Sequence, residues 1–315
     1  MTLPIDNPAT PPPRPGKIVV ATDLTDSDYL IPHAVAQARA SGAALVIVNA
    51  VLPHESMPVE SGAIPYYDPL RMDRDARLLL ENVAREVRAQ GIDCATAVRH
   101  GFAPDVIAEI VKNAEAARLI VGTHGRRGLK KFVLGSVARQ LLDLVDIPVC
   151  TIGPRAHQLP TGTPRTILHP VSLAGLHESS TELSLNLARQ FGARLVLLHV
   201  IPPGNTIVRD AGKSVSAVTE KLNALIPPDA RASTQVIVRM AANNVVSEIL
   251  NVAQETAAGL IVLGVHAPAH SWLPGTEPAA YKILVSASCP VISVRVTPAA
   301  DTKQNQPETT PVALS

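Results

Sequence analysis

Residues Leu119-Ile120-Val121-Gly122-Thr123-His124-Gly125 run from a short apolar stretch into two glycines, and after nine intervening residues Gly135-Ser136 heads a new segment. The stretch Arg118 to Gly122 predicts a strand, because β-branched residues suit a pleated, buried surface. Gly135 to Val145 predicts a helix, with Ser136 at its opening. Strand, glycine loop, helix is half of a βαβ unit. On either side the alternation continues. Lys17 to Thr22 reads as a strand, followed by a helix that Asp26 or Ser27 would cap and that runs to about Ala40. Ala44 to Val51 is a second strand, and a helix from Arg71 to Gln90 ends at Gly91, a suitable C-cap. Cys94 to Arg99 is a third strand, and Pro104 suits the first turn of the next helix. Pro148 to Ile152 closes the series as a fifth strand. Strands alternating with helices predict an α/β fold with a parallel sheet and helices on both of its faces.

The series then occurs again. Ala38-Arg39, Gly42-Ala43 and Leu45-Val46 reappear as Ala188-Arg189, Gly192-Ala193 and Leu195-Val196. Leu119 to Gly122 reappears as Ile261-Val262-Leu263-Gly264, and Ile147-Pro148-Val149 as Cys289-Pro290-Val291. A repeat this long is a duplicated domain and not a solenoid. The expected organisation is a Pro-rich tail over 1–16, one domain over 17–153, a second over 165–297, and a polar tail over 298–315. Gly153 to Pro164 is the linker, stiffened by Pro154, Pro160 and Pro164. The chain has 315 residues, which suits two domains.

Composition narrows the function. Net charge is +1, which gives no global attraction to nucleic acid or to an anionic membrane. Apolar residues make up 46% while aromatics are only 3%, as expected where Val, Ile, Leu and Ala fill a doubly covered sheet. Cys94, Cys150 and Cys289 are scattered singly, so a reducing cytoplasm is the expected home. The start shows no basic segment followed by an apolar one, and no run approaches the length of a membrane helix.

The glycine loop has the chemistry of an anion site. Glycines let backbone approach a phosphate closely, and the free N–H groups of a helix start favour negative charge. Ser136 would add a hydroxyl donor. Arg126, Arg127, Lys130 and Lys131 raise the local potential, though they suit a solvated loop equally well. His124 lies between the glycines and either touches phosphate or shapes the loop.

Asp23 after the first strand, the span Gly122 to Ser136, and Ile147-Pro148-Val149 together resemble the universal stress protein family. Two copies in one chain resemble its tandem members. The resemblance implies two domains, each a five-stranded parallel sheet of the adenine-nucleotide alpha-hydrolase-like kind. It also implies that ATP, usually with Mg²⁺, lies at the carboxyl ends of the strands. Asp23 would then contact the adenosine part, and backbone near Val48 the adenine. Gly122, Gly125, Gly135 and Ser136 would hold the phosphates, with His124, Thr22 and Thr25 nearby. In this family the last strand often pairs across a dimer. Residues 147–152 and 290–296 could therefore pair inside one chain as an intramolecular pseudo-dimer, with a homodimer left open.

The second copy departs from this pattern. At an offset of 150, Asp23 becomes Leu173, and Gly125 corresponds to Ala267. Only seven residues separate Ala267 from Gly275-Thr276, with Pro268 and Pro274 flanking or lying in that loop. The expectation is a first domain that binds nucleotide and a second that does not. No GxxxxGK(S/T) or strand-following GxGxxG occurs, so neither a P-loop nor a dinucleotide fold is indicated. His266 and His270 do not make a convincing zinc pair. No nucleophile–base–orienter set can be read from spacing. A regulatory ATP-binding protein with slow or no hydrolysis is therefore the first reading. A slow ATPase using Asp23 or His124, and a nucleotide-free scaffold, remain alternatives.

Overall fold

The computed structural model describes residues 16–51, 69–123, 134–153, 155–156, 163–173, 178–203, 211–266 and 278–296. In the first half, β1 (Lys17–Ala21), α1 (Ser27–Ser41), β2 (Ala44–Val51), α2 (Pro69–Ala89), β3 (Cys94–His100), α3 (Ala103–Asn113), β4 (Ala116–Gly122), α4 (Ser136–Leu144) and β5 (Val149–Ile152) alternate as expected. The second half repeats them as β6 (Thr166–Pro170), α5 (Glu178–Phe191), β7 (Arg194–Ile201), α6 (Ala211–Ala224), β8 (Thr234–Met240), α7 (Val245–Glu255), β9 (Leu260–His266), α8 (Ala279–Ser286) and β10 (Val291–Val296). Within each half every strand pairing is parallel, in the order β3-β2-β1-β4-β5 and its copy β8-β7-β6-β9-β10.

The strands are apolar on both sides because both sides are covered. One face packs Leu30, Ala34 and Ala38 of α1, Leu80 of α2, Leu187 of α5 and Leu222 of α6 onto Ile18, Val20, Ile120 and Ile167. The other packs Ile107 of α3, Leu141 of α4, Val252 of α7 and Ile283 of α8 onto Val19, Leu119, Leu168 and Ile261. The repeated Gly-Ala pair has a local cause. Gly42 and Gly192 sit at φ 67° and 61°, in the left-handed region that ends a helix. The next residues, Ala43 and Ala193, donate back to Ala38 and Ala188.

The halves do not form separate sheets. β5 and β10 pair antiparallel, with Val291 opposite Thr151, Ile292 opposite Cys150 and Ser293 opposite Val149. The described strands thereby form one ten-stranded sheet. Val149 neighbours Leu119 and Val291 neighbours Ile261, so Cys150 and Ile292 are equivalent positions in the two halves. A local two-fold therefore passes through the Cys150–Ile292 pair, and the interface is isologous within one chain.

Two sequence expectations shift. The strand expected from Arg118 starts at Ala116, and α1 is not capped by the Asp26 side chain. That carboxyl turns instead toward Thr22.

Candidate functional site

β1 is bonded to β2 on one side and to β4 on the other. The helix after β1 covers one face of the sheet and the helix after β4 the other. Crossovers diverge at such a point, and a crevice opens beyond the carboxyl ends of the two strands. Asp23 follows β1 and Gly122 ends β4, so the crevice brings these two predicted residues together, with Thr123 next in the chain.

The loop after β1 is closed by its own side chains. Thr22 Oγ1 accepts from Leu24 N–H at 3.0 Å and donates to Asp26 Oδ1 at 2.5 Å. Asp23 Oδ1 accepts from both the N–H (2.9 Å) and the hydroxyl (2.6 Å) of Thr25. These bonds hold Leu24 at φ 74°, a costly conformation for a branched residue. Asn49 of β2 donates to the Thr22 carbonyl at 2.9 Å from a buried position. Val48 lies deeper: its side chain is fully buried, and its carbonyl accepts from Thr22 N–H at 2.9 Å.

Gly122 has a specific neighbour. A Cβ there would lie 2.6 Å from Asp26 Oδ2 and 3.3 Å from the Tyr29 hydroxyl. The glycine thus admits a carboxyl between α1 and β4. Burial pushes the Asp26 carboxyl up to about 6; Thr22's hydrogen bond opposes the shift and the charge of Asp23 adds to it. Burial, then the carboxylates of Asp26 and Asp23, push Tyr29 up to about 12. Asp26, Tyr29 and Asn49 were missed from the sequence as site residues. Asn49, a polar residue within Val46 to Val51, was the available signal.

The chain re-enters the crevice at α4. Gly135 is its N-cap and donates to the Thr123 carbonyl at 2.8 Å, tying the helix start to the end of β4. The N-cap of α4 is a glycine, with no side chain to cap the helix, and Ser136 is exposed at its first position. At α7, by contrast, Asn244 Oδ1 accepts from Ser247 N–H at 2.9 Å. The N–H groups of the first turn of α4 receive no acceptor from their N-cap residue, and a helix start of this kind suits an anion. His124, Gly125 and the basic residues Arg126, Arg127, Lys130 and Lys131 lie outside the described residues.

The second half differs at each equivalent place. Strand register pairs Lys17 with Ala44 but Thr166 with Arg194, one residue more between the strands. The counterpart of Asp23 is therefore Ser172 and not Leu173, still without a carboxylate. His199 replaces Asn49 and bonds the Val171 carbonyl at 2.8 Å. The C-caps Val145 and Ala287 bond back identically, to Leu141 and Ile283, which sets Pro278 at the place of Ser136. Gly275 and Thr276, the expected counterpart of Gly135-Ser136, lie outside the described residues, as does Trp272.

Other candidates fall away from the crevice. A cavity of 680 Å³ runs along the outer side of α1, between Val83 and Glu86 of α2 and Phe191 of α5. Its lining contains neither Asp23 nor Gly135. Cys150 and Cys289 are buried thiols. His169 is fully buried and bonded to the Val262 carbonyl and the Thr181 hydroxyl. Among the described residues no group of His, Cys, Asp and Glu could hold a metal ion, and no helix is long and apolar enough to cross a membrane.

Comparison with known proteins agrees with this fold. The sequence profile of the universal stress protein family matches residues 15–152 and again 165–295. A universal stress protein of Methanocaldococcus jannaschii is 28% identical over 140 residues, 43% of this chain and 81% of that protein. The structure of a universal stress protein from Archaeoglobus fulgidus aligns with a TM-score of 0.68 at 17% identity, covering 90% of this chain and 99% of that one. A functionally unknown protein from Pseudomonas aeruginosa aligns with a TM-score of 0.63 at 17% identity, covering 90% and 93%. At such identity these two likenesses concern the fold.

Proposed function

The chain belongs to the universal stress protein family, with the family's domain in two copies, and from that premise we propose that its first half binds an adenine nucleotide in the crevice between β1 and β4. ATP is the favoured ligand, and the second half binds none. Phosphates would meet the first turn of α4 at Gly135 and Ser136 and the glycine loop from Gly122 through His124 and Gly125. Asp23 would meet the adenosine part, with the base toward the end of β2 beyond Val48. Mg²⁺ would accompany a triphosphate, held largely by the phosphates themselves. The observation that supports this most is the start of α4 at Gly135, whose N–H is tied to the end of β4 beside the switch point that Asp23 follows. The second half offers Ser172 and Pro278 at those places, and proline has no N–H to give.

In this reading the nucleotide regulates and is turned over slowly or not at all. Asp23 Oδ1 accepts from the N–H and hydroxyl of Thr25, which fixes the carboxylate within its loop. The second half serves as partner to the first, and the chain works as an intramolecular pseudo-dimer built on the β5–β10 pairing. In a second reading hydrolysis is slow, and Asp26, raised to about 6 by its burial beside Gly122, would have to reach the attacking water to act as its base. Phosphate release lost in Asp26→Asn with ATP binding intact would establish it.

The test is to denature the freshly purified protein and identify what it releases by chromatography. An adenine nucleotide from the wild type, absent from Gly135→Val, is expected. The valine adds a branched Cβ where backbone must approach phosphate. Equal release from both proteins would defeat the assignment of α4.

A further inference from the structure

Helix α4 carries two different contacts at its two ends. Its N-terminus, at Gly135, faces the proposed phosphate position. Its C-terminus has no basic residue of its own in the last turn, and Asp143 and Asp146 stand there against the helix dipole. The missing cation comes from the other half of the molecule. Arg295, on β10, donates from Nη2 to the carbonyls of Leu142 (3.3 Å) and Asp143 (2.5 Å), and from Nη1 to Asp146 Oδ1 (2.7 Å). Asp146 is largely exposed, so that ion pair adds little. The bonds to helix carbonyls combine a fixed guanidinium fork with the dipole and are the stronger restraint. Along the same helix the Arg139 guanidinium lies 5.9 Å from the centroid of the Tyr281 ring of α8. The arrangement is reciprocal. α8 also lacks a basic residue in its last turn, and Arg155, following β5, donates to its Ser286 carbonyl at 3.3 Å.

α4 has only nine residues, about 13 Å of rigid helix. A displacement of its C-terminus is therefore carried to its N-terminus. We infer that Arg295 is a positioning residue through which the second half sets the first half's affinity for the phosphate portion of its ligand. The inference rests on the nucleotide reading above and gives the second half a role that needs no ligand of its own. It also assigns a direction. Loosening the clamp weakens grip on phosphates and leaves contacts to the nucleoside, which come from β1 and β2, as they were.

The experiment is calorimetric titration of the full chain, as wild type, Arg295→Ala and Arg295→Lys, with ATP and separately with adenosine. Arg295→Ala is expected to weaken ATP binding about ten-fold, a coupling of ordinary size between sites. Arg295→Lys keeps the charge without the fork and is expected to fall between, and it decides the matter should the alanine variant not fold. Adenosine affinity is expected to be unchanged in both. Unchanged ATP affinity, or equal losses for ATP and adenosine, would overturn the inference. A wild type that binds neither ligand would instead remove the nucleotide reading on which it rests.

Discussion

Asp26 illustrates how one side chain joins the fold to the site. It is nearly inaccessible, bonded to Thr22 and wedged over Gly122. A carboxyl whose folded value, about 6, lies above its ordinary 3.8 binds its proton more tightly when folded. Its contribution to stability is thus fully present below about pH 4 and is lost as pH rises through 6. Urea unfolding between pH 4 and 7 is expected to show a loss of order 2–3 kcal/mol from this group. Asp26→Asn should flatten that slope, and an unaltered slope would show that Asp26 is not its source. Gly122→Ala should cost about 1–3 kcal/mol, since the carboxyl it strikes is tied to Thr22 and cannot swing aside. In an Asp26→Ala background most of that cost should vanish, because the two sites are in contact. Asp23 and Gly122 were legible in the sequence because they punctuate strand ends. Asp26 was not: an acid just before a helix reads as a cap, and only the tertiary contact with β4 reveals its other use.

Helix starts differ in whether the N-cap side chain is used: that of α7 is, while those of α1, α3, α4 and α8 are not. α7 begins with Asn244, whose side chain fills the first turn; Asn244→Ala should cost about 1 kcal/mol in denaturant unfolding. α4 begins with Gly135 and an exposed Ser136, so Ser136→Ala should leave stability nearly unchanged while weakening ATP several-fold, the value of about one hydrogen bond. Loss of stability without loss of affinity would make Ser136 an ordinary helix residue. The elements themselves were legible nearly throughout, since doubly buried strands and capped helices leave local signals in Val, Ile, Gly and Pro. What local signals could not supply was correspondence between the copies. One extra residue between β6 and β7 moved the partner of Asp23 from Leu173 to Ser172. Likewise, the nearest Gly-Thr pair stood in sequence for a helix start that Pro278 occupies in space.

At the scale of the molecule, the two-fold at Cys150–Ile292 lets one chain satisfy both of its inner sheet edges. An exposed β5 edge would recruit another strand. A fragment of residues 1–164 is therefore expected to run as a dimer in analytical ultracentrifugation, β5 against β5, and a stable monomer would show that the edge needs no partner. The closing strands could be recognised from their repeated Pro-Val signature, but their antiparallel meeting is a property of the assembled halves. The second half keeps the fold with Ser172 and Pro278 at the places of Asp23 and Ser136, because the sheet depends on strands and helix faces, not on the loops beyond them. The central claim is one nucleotide site per chain, in the first half. Equilibrium dialysis of the full chain against labelled ATP and Mg²⁺ tests it most directly. Saturation at about one ATP per chain, abolished by Gly135→Val, is expected; saturation at two, or no binding at millimolar ATP, would rule out a single site in the first half.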